Sequence, residues 1–419
     1  MKNFIKYLLL IISINFNLLS QNISPYSRFG IGEISPSFST SFGLYNAPNV
    51  SSIRQDFINL QNPAANSKTR YTIFNIGSIF TKSNLADNFS KVDNLDDGAF
   101  NNVAIAIPID IPNGFTITSG ILPFSKVNDE IKQIRKINSF KVEEIFSATG
   151  GLTDLFLGAS YSPLKNLYIG LTTDYIFGER SFNHKSEFID TTFQSNKTLT
   201  KHSENAVGAN FSFIYEKLNE KFNLSMFENL TIGSTLKLPS KLNSKKTTYV
   251  ERDYLHEDNY LTQFYDTLIS STTNSIPAKF TIGTSVTFNQ KLFSAEYSIQ
   301  NWKNVFTNAT PNVNFLADEN YTFALTNIPT ESQTFKDNIT YSLGFAHRKT
   351  YLELNGNQIL ENYFSAGIGF PLSYTGRMQL GLSYLKRGTK ANNLIDENIF
   401  GAFINLTIGE LWFVQPIID

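Results

Sequence analysis

Several segments of this chain alternate between large apolar residues and small or polar ones with a period of two. The segment KFTIGTSVTF (279–288) places Phe, Ile and Val side chains on one face and Thr, Gly and Ser on the other. The same pattern recurs in LFSAEYSIQNW (292–302), NYFSAGIGF (362–370) and IFGAFINLTIG (399–409). A period of two marks a β-strand with two unlike faces. Because the second face is small and polar, these strands do not fit the shared core of a β-sandwich.

About fourteen such segments follow one another, and the connections between them alternate in length. The candidate strands lie near 69–81, 99–109, 114–123, 152–162, 167–178, 205–216, 229–238, 277–288, 292–302, 338–347, 349–356, 362–371, 377–386 and 398–409. Short connections are expected at 110–114, 163–166, 289–291, around Lys349 and at 373–376. Long polar ones are expected at 82–98, 124–151, 179–204, 239–276 and 303–337. The connections 217–228 and 357–361 depart from this alternation.

This alternation is typical of a barrel in an outer membrane, which has tight periplasmic turns and longer outer loops. A sheet that spans lipid must close on itself, since lipid cannot satisfy an open edge. The sequence therefore predicts an all-β fold, a transmembrane up-and-down antiparallel β-barrel of about 14 strands. The alternative is a secreted sandwich or repeat array, which predicts a shared apolar core and no regular alternation of connection lengths.

The composition agrees with a membrane barrel. Aromatic residues make up 14% of the chain and charged residues 17%, below the roughly 25% charge of soluble domains. The formal charge of −1 provides no basic surface, so nucleic acid is not expected as a partner. Aromatic residues near strand ends are expected at the membrane interfaces. These are Trp302, Tyr321, Tyr351, Tyr363, Trp412 and Phe413.

The N-terminus predicts export. Lys2 and Lys6 precede an apolar run from Tyr7 to Leu19, which is typical of a secretory signal peptide over residues 1–21. No later stretch approaches the roughly 18 to 20 apolar residues of a membrane helix. Cysteine is absent from the sequence, which excludes a lipid anchor on cysteine and a disulfide framework. The expected location is the outer membrane, with the barrel over 66–413 and a periplasmic tail over 414–419.

No motif predicts an enzyme, a metal site or a bound cofactor. The four histidines, at 184, 202, 256 and 347, have no metal-ligand spacing, and His347 lacks a second partner for hydrolysis. Gly30 and Gly32 lack the third glycine of a dinucleotide loop. The acidic stretch 249–260 does not have the spacing of a calcium loop.

Two charged residues, Asp174 and Glu296, lie mid-strand on the polar face. A charge on the lipid side would cost about 2 to 4 kcal/mol at mid-depth, so both are expected to point into the lumen. There they would line a path, bind a plug, or pair with another lumen group such as an arginine.

The N-terminal segment, residues 22–65, precedes the first predicted strand and has few regularly spaced apolar residues. Because a fourteen-stranded barrel is too wide for its own side chains to fill, this segment is predicted to plug it, with a flexible periplasmic tail as the alternative. Asn62, Pro63 and Ala64 form a corner before the barrel, since proline fixes its own φ and restricts the residue before it. This corner is predicted to be the hinge between plug and barrel. The apolar residues from Tyr71 to Phe80 shift parity, which indicates a bulge or mixed lumen contacts.

Four short motifs carry a resemblance to a known family. They are FGIG (29–32), NPA (62–64), IPAKFTIGTSVTFNQKLFSAEYSIQNW (276–302) and DNITYSLGF (337–345). With them the sequence resembles the FadL/TodX family of outer-membrane transporters for long-chain fatty acids and other hydrophobic compounds. The resemblance in architecture covers nearly the whole mature chain.

This resemblance implies a barrel closed by an N-terminal hatch, with passive uptake of a hydrophobic small molecule and no chemical step or cofactor. Membrane lipid and the hydrophobic ligand would be its partners. Apolar residues of the N-terminal segment are candidates for ligand contact or for packing against the wall. They are Phe29, Ile31, Phe38, Phe42 and Leu44.

A second function remains open, a structural or accessory barrel subunit of an outer-membrane protein assembly with no transport of its own. Transport predicts a continuous apolar pocket beneath the outer loops. An accessory role predicts a lumen that is packed shut.

Overall fold

The structure is a computed structural model that describes residues 24–88, 91–137, 140–188, 195–252, 263–306, 311–329, 335–373 and 375–412. The predicted signal peptide and periplasmic tail lie outside the described residues. The N-terminal segment contains three short strands and two 3-10 helices. The helices are Pro25–Arg28 and Pro63–Lys68, and the strands are β1 (Glu33–Ile34), β2 (Phe38–Ser39) and β3 (Leu44–Tyr45).

The remaining strands belong to the wall or lie beside it. In order they are β4 (Thr72–Ala86), β5 (Lys91–Asp110), β6 (Phe115–Ile137), β7 (Phe140–Leu164), β8 (Leu167–Phe188), β9 (Asn196–Tyr215), β10 (Asn229–Lys237), β11 (Ser240–Arg252), β12 (Gln263–Ile276), β13 (Lys279–Phe288), β14 (Lys291–Asn301), β15 (Val313–Phe315), β16 (Ala317–Asn327), β17 (Thr340–Leu354), β18 (Asn357–Pro371), β19 (Arg377–Gly388) and β20 (Asp396–Glu410). Helix α1 (Leu218–Lys221) lies between β9 and β10. Two further 3-10 helices are Phe335–Asn338 and Ala391–Asn393.

The wall closes because β20 pairs with β4 along its full length, from Asp396 opposite Ala86 to Glu410 opposite Thr72. Two wall strands are interrupted at a proline. Pro239 separates β10 from β11, and Pro277 separates β12 from β13, since proline has no N–H to donate to the ladder. With each interrupted pair counted as one strand, the described chain forms a closed antiparallel barrel of fourteen strands. The predicted fold class is confirmed.

Two errors in the predicted strands cancel in this total. β16 lies within 303–337, which was predicted to be a loop, because Asp318, Glu319 and Asn320 make its first half read as polar. The turn predicted around Lys349 is also wrong. β17 runs through this position as one strand, with an irregular register between Lys349 and Glu353 that breaks the period of two.

Most of the predicted outer loops are strands. β7 has 25 residues and β6 has 23, whereas about 9 to 11 residues suffice to cross a membrane. The segments 124–151, 179–204 and 239–276 therefore extend the wall beyond the lipid as hairpins. Their alternation is weak because water replaces lipid on the outer face there, so polar residues serve on both faces.

The two faces of the wall have the predicted character. In β13, Phe280 and Ile282 are exposed on the outer face, while Thr281 and Ser285 are buried on the inner one. An apolar outer face on a closed barrel is the arrangement that lipid requires, so the chain is a multi-pass β-barrel of the outer membrane. No helix in the described ranges has the length and apolar character needed to cross a bilayer.

Three of the aromatic residues assigned to a membrane interface lie inside the barrel. Trp302 is fully buried, and its ring lies 5.1 Å from that of Tyr351. Tyr363 is also buried, on the inner face of β18. Proximity to a strand end does not separate the two faces, so the prediction fails for these residues.

Candidate functional site

The N-terminal segment bonds to the inner side of the wall at many heights. β1 pairs antiparallel with β6, Glu33 opposite Lys126. The Ser125 hydroxyl donates to the Ile31 carbonyl at 2.7 Å, and the Gln379 amide donates to the Thr40 carbonyl, also at 2.7 Å. β6 and β19 are four strands apart around the wall, so separate parts of the wall hold the same segment.

Small residues on the inner face make this close approach possible. A Cβ added at Gly233 in β10 would lie 2.1 Å from the Val50 carbonyl oxygen. A Cβ at Gly170 in β8 would lie 2.5 Å from the Ala64 nitrogen. In the sequence, the glycines served only to distinguish the polar face from the lipid face. In the structure, they make room for the backbone of the N-terminal segment against the wall.

The strongest polar contact between the segment and the wall is centred on Arg387 of β19. Its guanidinium is 2% exposed and bonds to Glu33 of β1, to Glu361 at 2.8 Å and to Glu397 at 3.1 Å. Ser24 donates a further bond to Glu397 at 2.6 Å. This network, the Arg387 cluster, joins the N-terminal segment to three adjacent wall strands.

Two other buried arginines bond to the backbone of the segment. Arg348 pairs with Asp318 at 2.6 Å, and its Nη1 donates to the Ile34 carbonyl at 3.3 Å. Arg180 donates from Nη1 to the Gly30 carbonyl at 2.5 Å. Buried arginine requires carboxylates and acceptors around it, and the segment supplies part of that set.

The two predicted lumen charges both point inward. The Glu296 carboxylate accepts bonds from the backbone N–H groups of Asn49 and Val50, each at 2.8 Å. Asp174 lies 3.0 Å from the Lys237 ammonium, which also lies 3.1 Å from Asp154. Glu296 thus contacts the N-terminal segment, and Asp174 pairs with another lumen group, a lysine rather than an arginine.

The five apolar candidates of the N-terminal segment pack against the wall in three clusters. Ile31 is fully buried in a cluster with Trp302 and Tyr351. Phe29 borders a cluster around Tyr26 and Leu394.

Phe38, Phe42 and Leu44 pack together against Ile79 of β4 and Phe403 of β20. Ile79 faces the lumen to make this contact, which explains one parity shift in the first wall strand. The ring of Phe38 lies 5.4 Å from that of Phe403, edge to face. These contacts fit the packing role that the sequence left open for the three residues.

The corner at Asn62, Pro63 and Ala64 begins the 3-10 helix Pro63–Lys68. The Asn62 side chain accepts from the Ala64 N–H at 3.0 Å and donates to the Val50 carbonyl at 2.6 Å. The Ala64 N–H also donates to the Ser212 hydroxyl of β9 at 3.2 Å. All three residues of the corner are buried. This arrangement favours a fixed corner, and the predicted hinge motion stays a prediction.

A cavity of about 180 Å³ lies beside the segment. Phe38, Leu60 and Phe156 form part of its lining, together with the charged groups Lys237 and Lys279. Of the five apolar candidates, Phe38 is the one that borders it. The cavity is small and of mixed polarity, unlike a continuous apolar pocket.

Tyr26 fixes the start of the segment to Ile395, the residue before β20. Its hydroxyl donates to the Ile395 carbonyl at 2.5 Å and accepts from the Ile395 N–H at 2.9 Å. Burial raises the pKa of Tyr26, and burial likewise raises the pKa of Tyr45. A neutral phenol is the form that can make both bonds of Tyr26.

The described residues do not assemble a catalytic or metal arrangement from the candidates weighed in the sequence. His347 faces outward, and its ring nitrogen lies 2.8 Å from the Asn362 side chain. Glu251 of the acidic stretch pairs with Lys197 at 3.4 Å, and 253–260 lies outside the described residues. No group of His, Asp and Glu within the described ranges is placed to hold a metal ion.

The Arg387 cluster was not found from the sequence, although a signal for it exists. Glu361, Arg387 and Glu397 each lie one residue beyond the end of a predicted strand, so the predicted inner face did not include them. Extending the period of two past each boundary places all three on the inner face. Their pairing with Glu33 could not be read from any pattern.

Comparison with known proteins identifies the family. The family model described as BamG matches residues 1–419. The chain belongs to the BamG family. No curated protein sequence matches it. The predicted FadL/TodX resemblance therefore holds for the fold, whereas the family that matches carries a different description.

Solved structures similar to this BamG-family chain include toluene transporters and a FadL homologue. The toluene transporter TbuX of Ralstonia pickettii has a TM-score of 0.57 at 12% identity, over 91% of this chain and 100% of that one. A FadL homologue of Pseudomonas aeruginosa has a TM-score of 0.58 at 11% identity, over 90% and 98%. The toluene transporter TodX of P. putida has a TM-score of 0.57 at 12% identity, over 91% and 100%. At these identities the similarity establishes a FadL-type fold.

Proposed function

We propose that this chain is a sealed barrel that acts as a structural or accessory subunit of an outer-membrane protein assembly. The observation that carries the proposal is the N-terminal segment bonded into the bore, above all through Glu33 in the Arg387 cluster. Moving the segment would take Glu33 away from the buried Arg387 and Ser24 away from the buried Glu397. Breaking a buried ion pair in this way costs about 3 to 5 kcal/mol.

The enclosed space supports the same conclusion. A transport path for hydrophobic compounds needs an apolar route past the segment, and ligand pockets for such compounds are mostly apolar, about 300 to 1,000 Å³. The cavity here holds about 180 Å³ and is bordered by Asp154, Asp174, Lys237 and Lys279.

A disulfide between the segment and the wall tests the proposal directly. The hydroxyl oxygens of Ser51 and Ser294 lie 3.2 Å apart, so the pair Ser51→Cys and Ser294→Cys is placed to lock the segment to β14. The sequence contains no cysteine that could interfere. The matched control joins two wall strands, through Thr326→Cys and Ser342→Cys, whose oxygens lie 2.8 Å apart.

Two readouts separate the functions. A sealed subunit predicts that the oxidised lock corrects any envelope defect of a deletion strain as well as the control does. It also predicts that proteoliposomes take up neither oleate nor toluene, whether the lock is oxidised or reduced. The proposal would be overturned if the reduced lock variant took up oleate or toluene and lost this uptake on oxidation, while uptake by the control variant did not change on oxidation.

Passive uptake of hydrophobic small molecules such as long-chain fatty acids is the second candidate. It is favoured by the FadL-type fold that the chain shares with such transporters. Under this alternative the segment must leave its contacts during each passage. The uptake assay with the lock and its control decides between the two.

A further inference from the structure

The outer end of the barrel is higher on one side than on the other. Both ends of the wall, at Thr72 and Glu410, lie with the short turns, so the long hairpins mark the outer end. β6, β7, β8 and β9 have 20 to 25 residues, whereas β13, β14 and β16 have 10 or 11. A curved sheet from β6 to β12 therefore stands beyond the membrane.

One vertical edge of this sheet is the upper part of β12, residues 267–275, which we call the β12 edge. β12 pairs with β11, from Ser240 opposite Ile276 to Arg252 opposite Gln263. β14, its neighbour lower down, ends at Asn301, and the chain then turns inward at the buried Trp302. In the described parts of the chain, no strand pairs with the other side of the β12 edge.

Both faces of the β12 edge are open as well. Leu268 and Ile269, which point to opposite faces, are 65% and 56% exposed. Every residue from Thr267 to Thr273 is exposed. The backbone N–H and C=O groups on the free side and the apolar side chains on both faces are therefore accessible together.

The opposite edge of the same sheet, unlike the β12 edge, is protected against pairing with other strands. β5 pairs with β6 only as far as Val103 opposite Ile121, and β1 covers Ser125 and Lys126, which leaves the part of β6 above them as an edge. That part, DEIKQIRKI (129–137), carries charges of both signs, which discourage pairing with other strands. The β12 edge, TLISSTTNS, has no charge and no proline and is rich in strand-forming residues.

We propose that the β12 edge is a docking site for an extended segment of a second outer-membrane protein, which adds to it as an antiparallel strand. Backbone hydrogen bonds to the free side would provide affinity, and apolar side chains packing on Leu268 and Ile269 would provide selectivity. The partner segment is therefore uncharged, with apolar residues on both faces. This inference deepens the proposed function by naming the surface through which the barrel joins an assembly.

A second copy of this chain does not fit the β12 edge. Two copies with the same orientation in one membrane are related by an axis along the membrane normal, which makes their β12 strands run in the same direction. Because barrel strands tilt by about 35 to 45°, the two would cross at about 70 to 90°. Neighbouring strands in a sheet differ by only about 20 to 25°. A segment that is free to choose its direction and tilt meets the requirement.

Hydrogen exchange tests strand addition, because backbone amides in β12 alternate between bonding to β11 and pointing to the free side. We expect every second amide of 267–275 to exchange at least about tenfold more slowly in native outer-membrane vesicles than in the purified chain. The amides that bond to β11 should change little. Equal exchange in both preparations would overturn the proposal, and so would slowing that appears only when the purified chain is concentrated, which indicates self-pairing.

Two lysine substitutions and one control complete the test. Leu268→Lys and Ile269→Lys should remove the slowing in vesicles, whereas Ile134→Lys, on the protected edge of the same sheet, should keep it. A shift in electrophoretic mobility on heating checks that each variant forms its barrel. Retained slowing in both β12 variants would contradict docking at this edge. The disulfide lock concerns the lumen alone, so either proposal can fail without the other.

Discussion

Arg387 provides the sharpest prediction at the scale of single residues. Replacing it with methionine keeps the length of the side chain but leaves Glu33, Glu361 and Glu397 without their shared cation. We expect a loss of about 3 to 5 kcal/mol, because the wall carboxylates are 2% exposed or less. The measurement is the urea midpoint of unfolding in detergent micelles.

Arg135→Met is the matched control for this change. Arg135 pairs with Glu144 at 3.3 Å, but its side chain is 62% exposed. An exposed pair contributes about 0 to 1 kcal/mol, so its midpoint should barely move. Similar shifts in the two variants would show that the Arg387 cluster contributes no more than a surface pair.

Single residues also show what the sequence could and could not supply. Asp174 and Glu296 were assigned to the inner face because each lies inside a segment with a clear period of two. The partners of these residues, Lys237 and the backbone at Asn49 and Val50, lie far away in the sequence. Such pairings follow from barrel closure and from the path of the N-terminal segment, which local periodicity does not encode.

At the scale of elements, the fit of the segment against β10 depends on Gly233. An added methyl at this position would overlap the Val50 carbonyl, 2.1 Å away. We expect Gly233→Ala to displace the backbone around Val50 and to cost about 1 to 3 kcal/mol, as overpacking does. Limited proteolysis of the N-terminal segment and the urea midpoint measure the two effects.

Gly283 is the natural control, since it lies opposite Gly233 in β13. A Cβ there would approach the Ala295 carbonyl oxygen at 3.1 Å and the Ser51 hydroxyl at 3.5 Å. Gly283→Ala should therefore be milder and leave the segment resistant to protease. If both alanine variants match the original chain in protease resistance and urea midpoint, the N-terminal segment does not pack against β10 as closely as the structure shows.

Elements were predictable where one face meets lipid and the other the N-terminal segment. β13 and β20 meet this condition along most of their length, and their predicted limits lie within three residues of the observed ones. β11 and β12 were missed because they stand in water, where neither face needs to be apolar. A period of two in the sequence thus indicates a strand whose two faces meet different environments. It does not identify a strand whose two faces both meet water.

At the scale of the whole molecule, the barrel and the N-terminal segment depend on each other. The sequence predicted a closed barrel preceded by a further segment, because lipid permits few alternatives, whereas the strand number agrees only because two errors cancel. It could not predict whether that segment leaves a path, since this depends on which side chains meet across the bore. The buried charges that bond to this segment, Arg180, Arg348 and Arg387, come from three different wall strands.

Removing the segment is therefore the test that belongs to the whole molecule. Deleting residues 24–58 keeps the corner at Asn62 and the 3-10 helix Pro63–Lys68 but takes away the contacts of Glu33, Thr40 and Val50. A barrel of fourteen strands is wider than its own side chains can fill, so the deletion variant should conduct ions in a planar bilayer. The full chain should stay closed under the same voltage. If the full chain and the deletion variant conduct equally, the N-terminal segment does not seal the bore. If the deletion variant stays closed and still shifts in electrophoretic mobility on heating, the wall side chains alone block the bore.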